Sequence, residues 1–264
     1  MCICNGPLVM GSTLVLRSKN HINVILKLIS YLQLLIMVLR LPVVYLVRHG
    51  ETEWSKTGQH TSTTEVELTS HGITQARDLS RFVFENQCQD FINPSNINLI
   101  LVSPRKRAQQ TLGLITLPKR DQIPTFTDPN LAEWNYGDYE GITTHEIHST
   151  KYAFWDIWRD GCPNGETIQQ VATRCDHMIA KIMTHQTDHM DNNPNSPGGD
   201  VLVVAHSHLL RILACRWLNM PPEFGRHFIV DTAGLCVLGY DRSMRTPVIK
   251  QWNVTSHLFQ RTNE

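Results

Sequence analysis

The stretch YLVRHGETEW, Tyr45–Trp54, closes an apolar run with a cation, an imidazole and a glycine, and two acids follow at once. Together with the residues before it, PVVYLV (Pro42–Val47), it has the pattern of a short strand buried on both faces that opens into a polar loop. Two further segments repeat the pattern, INLILVS (Ile97–Ser103) and VLVVA (Val201–Ala205). Between them the period changes. Ile73, Ala76, Leu79, Phe82 and Val83 fall at helical spacing after Ser70, which is read as the cap, and PRKRAQQTLGLI places Pro104 at a first helical position. A long helix is expected from Glu166 or Thr167 to about His185, and another after His206. HFIVD, LCVLGY and VIKQWNV read as later strands, and DHMDNNPNSPGGD as a loop. Alternation of this kind predicts a three-layer α/β/α sandwich with a mostly parallel central sheet. The irregular, aromatic-rich stretch between residues 117 and 163 would form a small cap.

Composition narrows the function without naming it. Lys+Arg and Asp+Glu are both 24, so no overall field draws the chain to nucleic acid or an anionic membrane, and any anion preference must be local. The seven cysteines lack a disulfide framework and read as reduced thiols of a cytoplasmic protein, with Cys215 and Cys236 as small core residues. Residues 1–41 stand apart as an N-terminal extension. No acid occurs before Glu51, Arg17, Lys19, Lys27 and Arg40 are basic, and Ile22–Leu39 is strongly apolar. A membrane anchor, a mitochondrial presequence and an upstream start ahead of a working Met37 all fit, the last best. Membrane contact would require this extension. The main domain spans 42–255, a short tail spans 256–264, and the oligomeric state is open, a homo-oligomer included.

Ligands of layered α/β folds collect at the carboxyl edge of the sheet. The three strands deliver Arg48 and His49, then Arg105 and Arg107, then His206 and His208, at that edge. Such a set suits a phosphate monoester. Arg48 and Arg107 offer permanently charged forks for its oxygens. His49 offers a neutral ring nitrogen to attack phosphorus, and Gly50 clears the approach.

VRHGETEW, SPRKRAQQT, LAEWNYGDYEG and VVAHSH, in this chain order, resemble the histidine phosphatase (phosphoglycerate mutase-like) superfamily over about Val43 to Asn253. The pieces at Arg48–Ser55, Glu133–Gly141 and Trp158–Glu166 are most similar to its phosphatase branch, which includes the fungal sedoheptulose-1,7-bisphosphatases. The resemblance implies a phosphoglycerate mutase-like fold and hydrolysis of small phosphorylated metabolites, with no metal, no cofactor and no nucleic acid involved. It makes His49 the phosphohistidine nucleophile, Glu133 the general acid and His206 the second imidazole on the phosphoryl group. Arg48, Ser55 and Arg107 would bind phosphate; Gln59, Thr61, Arg105 and Tyr136 would border the substrate. A mutase of the same fold, or a non-catalytic scaffold, is the rival reading.

The loop after Gly58 departs from the relatives, with Ser62, Thr63 and Glu65 where they carry glycine, arginine and aspartate, and specificity is in question there. His145 with His148, and His185 with His189, have helical spacings that suit a metal, but nothing in the sequence completes a ligand set.

Overall fold

The computed structural model describes residues 40–85, 92–194 and 198–258. The N-terminal extension, apart from Arg40 and Leu41, and the C-terminal tail beyond Leu258 lie outside the described residues. The chain divides into a small unit, residues 1–40 with 194–197, and a large one, residues 41–193 with 198–264. The large unit carries everything that follows.

Its chain runs through β1 (Val44–Arg48), α1 (Glu53–Thr57), α2 (Ser70–Leu79), β2 (Ile97–Val102), α3 (Lys106–Gly113) and the short β3 (Thr125–Thr127). Next come α4 (Thr144–Thr150), α5 (Ile157–Asp160), α6 (Ile168–Asn192), β4 (Asp200–Ala205), α7 (Ser207–Trp217), β5 (Leu235–Tyr240) and β6 (Pro247–Val254). The six strands form one sheet in the order β3-β2-β4-β1-β5-β6. β3, β2, β4 and β1 are mutually parallel, while β5 and β6 add an antiparallel edge.

Alternate residues of β1 explain the layering. Val44 and Leu46 pack into a core with α6, α7 and the tryptophans, whereas Tyr45 and Val47 pack on the other face with Leu79, Ala108 and Leu112 of α2 and α3. A strand covered on both faces must be apolar throughout, which is why the three strand-like runs lack polar alternation. The aromatic segment joins this core: Trp134, Tyr136, Tyr139, Trp155 and Trp158 are buried, and Tyr152 and Phe154 are exposed. Cys162, Cys175, Cys215 and Cys236 are buried free thiols. Burial pushes Cys215 up to about 11 and Cys162 and Cys236 up to about 12, and raises Cys175 further.

Several local expectations give way to tertiary structure. Thr69, not Ser70, caps α2, its hydroxyl accepting the Gly72 N–H at 2.9 Å. Helix α3 starts two residues beyond Pro104, with Arg105 at the cap position. Helix α6 passes His185 and ends at Asn192, because its polar face finds partners. Asn98 bridges His185 and His189 at 2.8 and 2.7 Å, and Gln186 accepts from the Tyr240 hydroxyl at 2.7 Å. HFIVD forms no strand. Its main chain is taken up by side chains and by the end of β1: Trp252 donates to the Ile229 carbonyl, Asn253 accepts from the Asp231 N–H, and Arg48 donates to the Val230 carbonyl.

Candidate active site

Register builds the centre of the site. Arg48 of β1 lies opposite Ala205 of β4, so the next residues, His49 and His206, leave adjacent parallel strands side by side. The His49 N–H continues the ladder to the Ala205 carbonyl at 3.0 Å, and the two ring centroids are 5.2 Å apart. Ser103, at the end of β2, joins the same row, with its hydroxyl 2.7 Å from His206 Nε2.

The His49 ring lies 2.8 Å from the Gly50 carbonyl through Nδ1. A carbonyl only accepts, so Nδ1 carries the hydrogen and the neutral ring keeps its lone pair on Nε2. Burial first, then the charges of Arg107 and Arg48, holds this imidazole well below its ordinary pKa. The ring is therefore a free base at neutral pH. Burial, then Arg107, does the same to His206. Packing requires Gly50: a Cβ there would sit 2.5 Å from the Gly72 carbonyl oxygen, in the turn where the loop crosses the start of α2.

Two guanidinium groups flank the imidazoles. Arg48 donates through Nη1 to the Val230 carbonyl at 2.6 Å. Arg107, fully buried, donates through Nη2 to the carbonyls of Thr61 and Ser62 at 3.0 and 3.4 Å and through Nη1 to that of Thr64 at 3.3 Å. Neither Arg48 nor Arg107 has an ion-pair partner among the described residues, and the buried Nε of each has no hydrogen-bond partner there. Nδ1 of His206 is likewise buried and unpartnered. Buried donors without acceptors are costly, and an anion in their midst would satisfy them.

Glu133 reaches the same cleft from the aromatic segment. Its Oε1 accepts the Trp134 and Leu209 N–H groups, both at 2.9 Å, and its Oε2 accepts that of His208 at 3.1 Å. Two of these donors belong to the first turn of α7, whose cap residue, His206, supplies no side-chain bond. Oε1 is doubly engaged, which leaves Oε2 as the oxygen with capacity to spare.

A cleft of about 180 Å³ is lined by Arg48, His49, Ser55, Gln59, Thr61, Glu133 and Tyr136, with Gly58, His60, Ser207 and His208 completing it. Ser55 is committed to the capping box of α1, where its hydroxyl accepts the Thr52 N–H at 2.8 Å. Gln59 donates to the Gly141 carbonyl at 2.7 Å, and Thr61 to that of Gln59 at 3.1 Å. The Tyr136 hydroxyl is 2.7 Å from His208 Nδ1. Arg107 and His206 lie buried behind this lining and Arg105 also stands outside it, paired with Glu65 at 3.3 Å and bonded to the Thr63 carbonyl.

His208 reaches the edge expected from its place after the third strand, whereas His60 carries no signal in the sequence; both line the cleft. His60 stacks on Tyr136 at 4.7 Å, and burial lowers it to about 4. Burial, then Arg211, holds His208 well below its ordinary value. They form a neutral wall beside the cationic end. A larger cavity, about 550 Å³, lies at Asp156, Arg159, Phe224 and Arg226, but it contains none of these groups, and its Arg226 and Asp156 pair with each other at 3.0 Å. Among the described residues no three His, Cys, Asp or Glu side chains gather as a metal site, and no helix is long and apolar enough to cross a membrane.

Comparison with known proteins gives this geometry its class. The model of the histidine phosphatase superfamily (branch 1) matches residues 44–255. The chain is 42% identical over 190 residues to the sedoheptulose 1,7-bisphosphatase of Saccharomyces cerevisiae, which covers 68% of each protein. It is 36% identical over 200 residues to an acid phosphatase of Mycobacterium tuberculosis, covering 76% of this chain and 87% of that one. A solved structure of an open reading frame product from Mycobacterium tuberculosis superposes with a TM-score of 0.66 at 33% identity, over 82% of this chain and 99% of the other. The chain belongs to the histidine phosphatase superfamily. It is a phosphoric monoester hydrolase with the phosphoglycerate mutase-like fold.

Proposed function

We propose that the protein hydrolyses small phosphorylated metabolites, sugar bisphosphates such as sedoheptulose 1,7-bisphosphate first among them, through a phosphohistidine. The observation that carries this reading is the His49 ring, neutral, with its Nδ1–H held by the Gly50 carbonyl and its Nε2 lone pair left for phosphorus between two guanidinium groups. In the first step the Nε2–P bond forms as the P–O bond to the sugar breaks, and Glu133 delivers a proton to the departing alkoxide. In the second, Glu133 takes a proton from water, whose oxygen attacks phosphorus, and the P–N bond breaks to release inorganic phosphate. Arg48, Arg107 and His206 hold the equatorial oxygens throughout, so charge neutralisation is built into the fold.

The substrate preference is supported by the 42% identity to a sedoheptulose 1,7-bisphosphatase and by the YGDYEG segment, which carries Tyr136 and Glu140 beside the cleft. Work in cytoplasmic carbohydrate metabolism, within the pentose phosphate pathway, agrees with that substrate and with free buried thiols. A screen of phosphorylated metabolites for phosphate release tests the reading. Sedoheptulose 1,7-bisphosphate should give the highest kcat/KM, and 3-phosphoglycerate should yield no 2-phosphoglycerate. Isomerisation without phosphate release would instead establish a mutase.

A further inference from the structure

Arg107 poses an electrostatic problem. A fully buried guanidinium with no carboxylate in contact is costly, and a direct ion pair would occupy the fork that must grip phosphate. The three carbonyls that hold it, those of Thr61, Ser62 and Thr64, all lie in one loop. The Thr61 carbonyl and the Ser62 N–H are the two ends of a single peptide unit. That N–H lies 2.9 Å from both carboxylate oxygens of Glu140. The Thr64 N–H reaches Oε1 at 3.0 Å, and the Ser62 hydroxyl donates to Oε2.

We propose that Glu140 supports the Arg107 cation through the Thr61–Ser62 peptide, in addition to the charges of Glu133 and Glu65, and is thereby a positioning residue for phosphoryl transfer. The inference rests on the reading of Arg107 as a phosphate clamp. The carboxylate pulls on the N–H end of the peptide and the guanidinium on its carbonyl end, so both polarise one dipole in the same sense. The buried cation is stabilised across the peptide while Nε keeps no protein partner. Burial tends to raise the Glu140 pKa, but the bonds from Ser62 and Thr64 outweigh it and hold the group below its ordinary value, so it is charged at neutral pH. The relay branches once. The Ser62 hydroxyl also accepts the Tyr136 N–H at 3.2 Å, tying the aromatic segment to the same carboxylate. Ser62, one of the departures from the relatives, therefore works as a structural joint.

The test measures inhibition by inorganic phosphate, kcat/KM on an aryl phosphate and the melting temperature in the full chain. Glu140→Gln should weaken phosphate binding about tenfold, the factor set by about 1.4 kcal/mol. Glu67→Gln, which removes an exposed carboxylate from the same side of α3, should leave it unchanged. In an Arg107→Ala background, Glu140→Gln should alter kcat/KM less than about twofold, because coupled residues are not additive. Equal losses with and without Arg107, or no loss when Arg107 is present, overturn the relay. Should the glutamine variant fail to fold, Glu140→Asp, which keeps the charge but shortens the reach, must show a smaller loss that also vanishes without Arg107; no loss overturns the inference. Unchanged phosphate binding in Arg107→Ala itself overturns the clamp and the relay with it. Weak binding there beside a neutral Glu140→Gln overturns the relay alone.

Discussion

The strand edge and the facing loop build one cleft by different means. At the edge, His49, His206 and Ser103 are placed by ladder register, and each side chain follows a strand whose neighbours admit no other position. In the loop from Gln59 to Glu65 and the segment from Glu133 to Gly141, placement comes from side chains gripping main chain: Glu140 on Ser62 and Thr64, Gln59 on Gly141, Glu133 on α7. Register tolerates change in outward-facing residues. Side-chain grips do not, since each lost bond leaves a buried or part-buried main-chain group without that partner.

The largest test of this contrast removes the proposed nucleophile. His49→Ala should abolish phosphate release, a loss on the order of 10⁴-fold or more, while folding normally because the ladder persists; turnover near the parent rate would reject the assignment. Glu133→Gln comes next. It should slow sugar phosphates by ~10²–10⁴-fold and an activated aryl phosphate far less, since only the poor leaving group needs the proton. A melting curve separates this from loss of the α7 cap, and equal slowing of both substrates would count against an acid.

The third test is acidification. His49, His206 and His208 have pKa values depressed in the folded protein, so the unfolded chain binds protons first as pH falls below 6.5. Stability should be constant above that value and decline below it, by up to about 1.4 kcal/mol per pH unit for each such histidine, as read from urea midpoints. The acid limb of kcat/KM, which reports the free enzyme, should lie well below 6.5, because burial and the two guanidinium charges keep His49 neutral there. A kcat/KM falling with an apparent pKa of 6.5 for the free enzyme would contradict the buried geometry. The smallest effect belongs to Tyr136→Phe, which removes the bond to His208 and should cost about 1 kcal/mol of stability with a few-fold change in KM.

The same contrast explains what the sequence made legible. β1, β2 and β4 could be read because burial on both faces forces a continuous apolar run, and the polar residues after them marked Arg48, His49 and His206. β3 escaped notice since its three residues are exposed and carry no pattern. HFIVD imitated a strand through composition alone, and the polar end of α6 imitated a loop because its partners, Asn98 and Tyr240, are distant in sequence. His60, His208 and Glu140 act through contacts between segments that no periodicity announces. Arg105, expected at the border of the substrate from its place after β2, is paired with Glu65 and does not line the cleft.

Sulfur is the usual weak point of phosphatases that attack with a thiolate. Here the four cysteines described are sealed in the interior as neutral thiols, and the attacking atom assigned above is nitrogen. Among the described residues no thiol lines the cleft, so mild peroxide and swings in cellular redox poise that switch thiolate enzymes off should leave turnover unchanged.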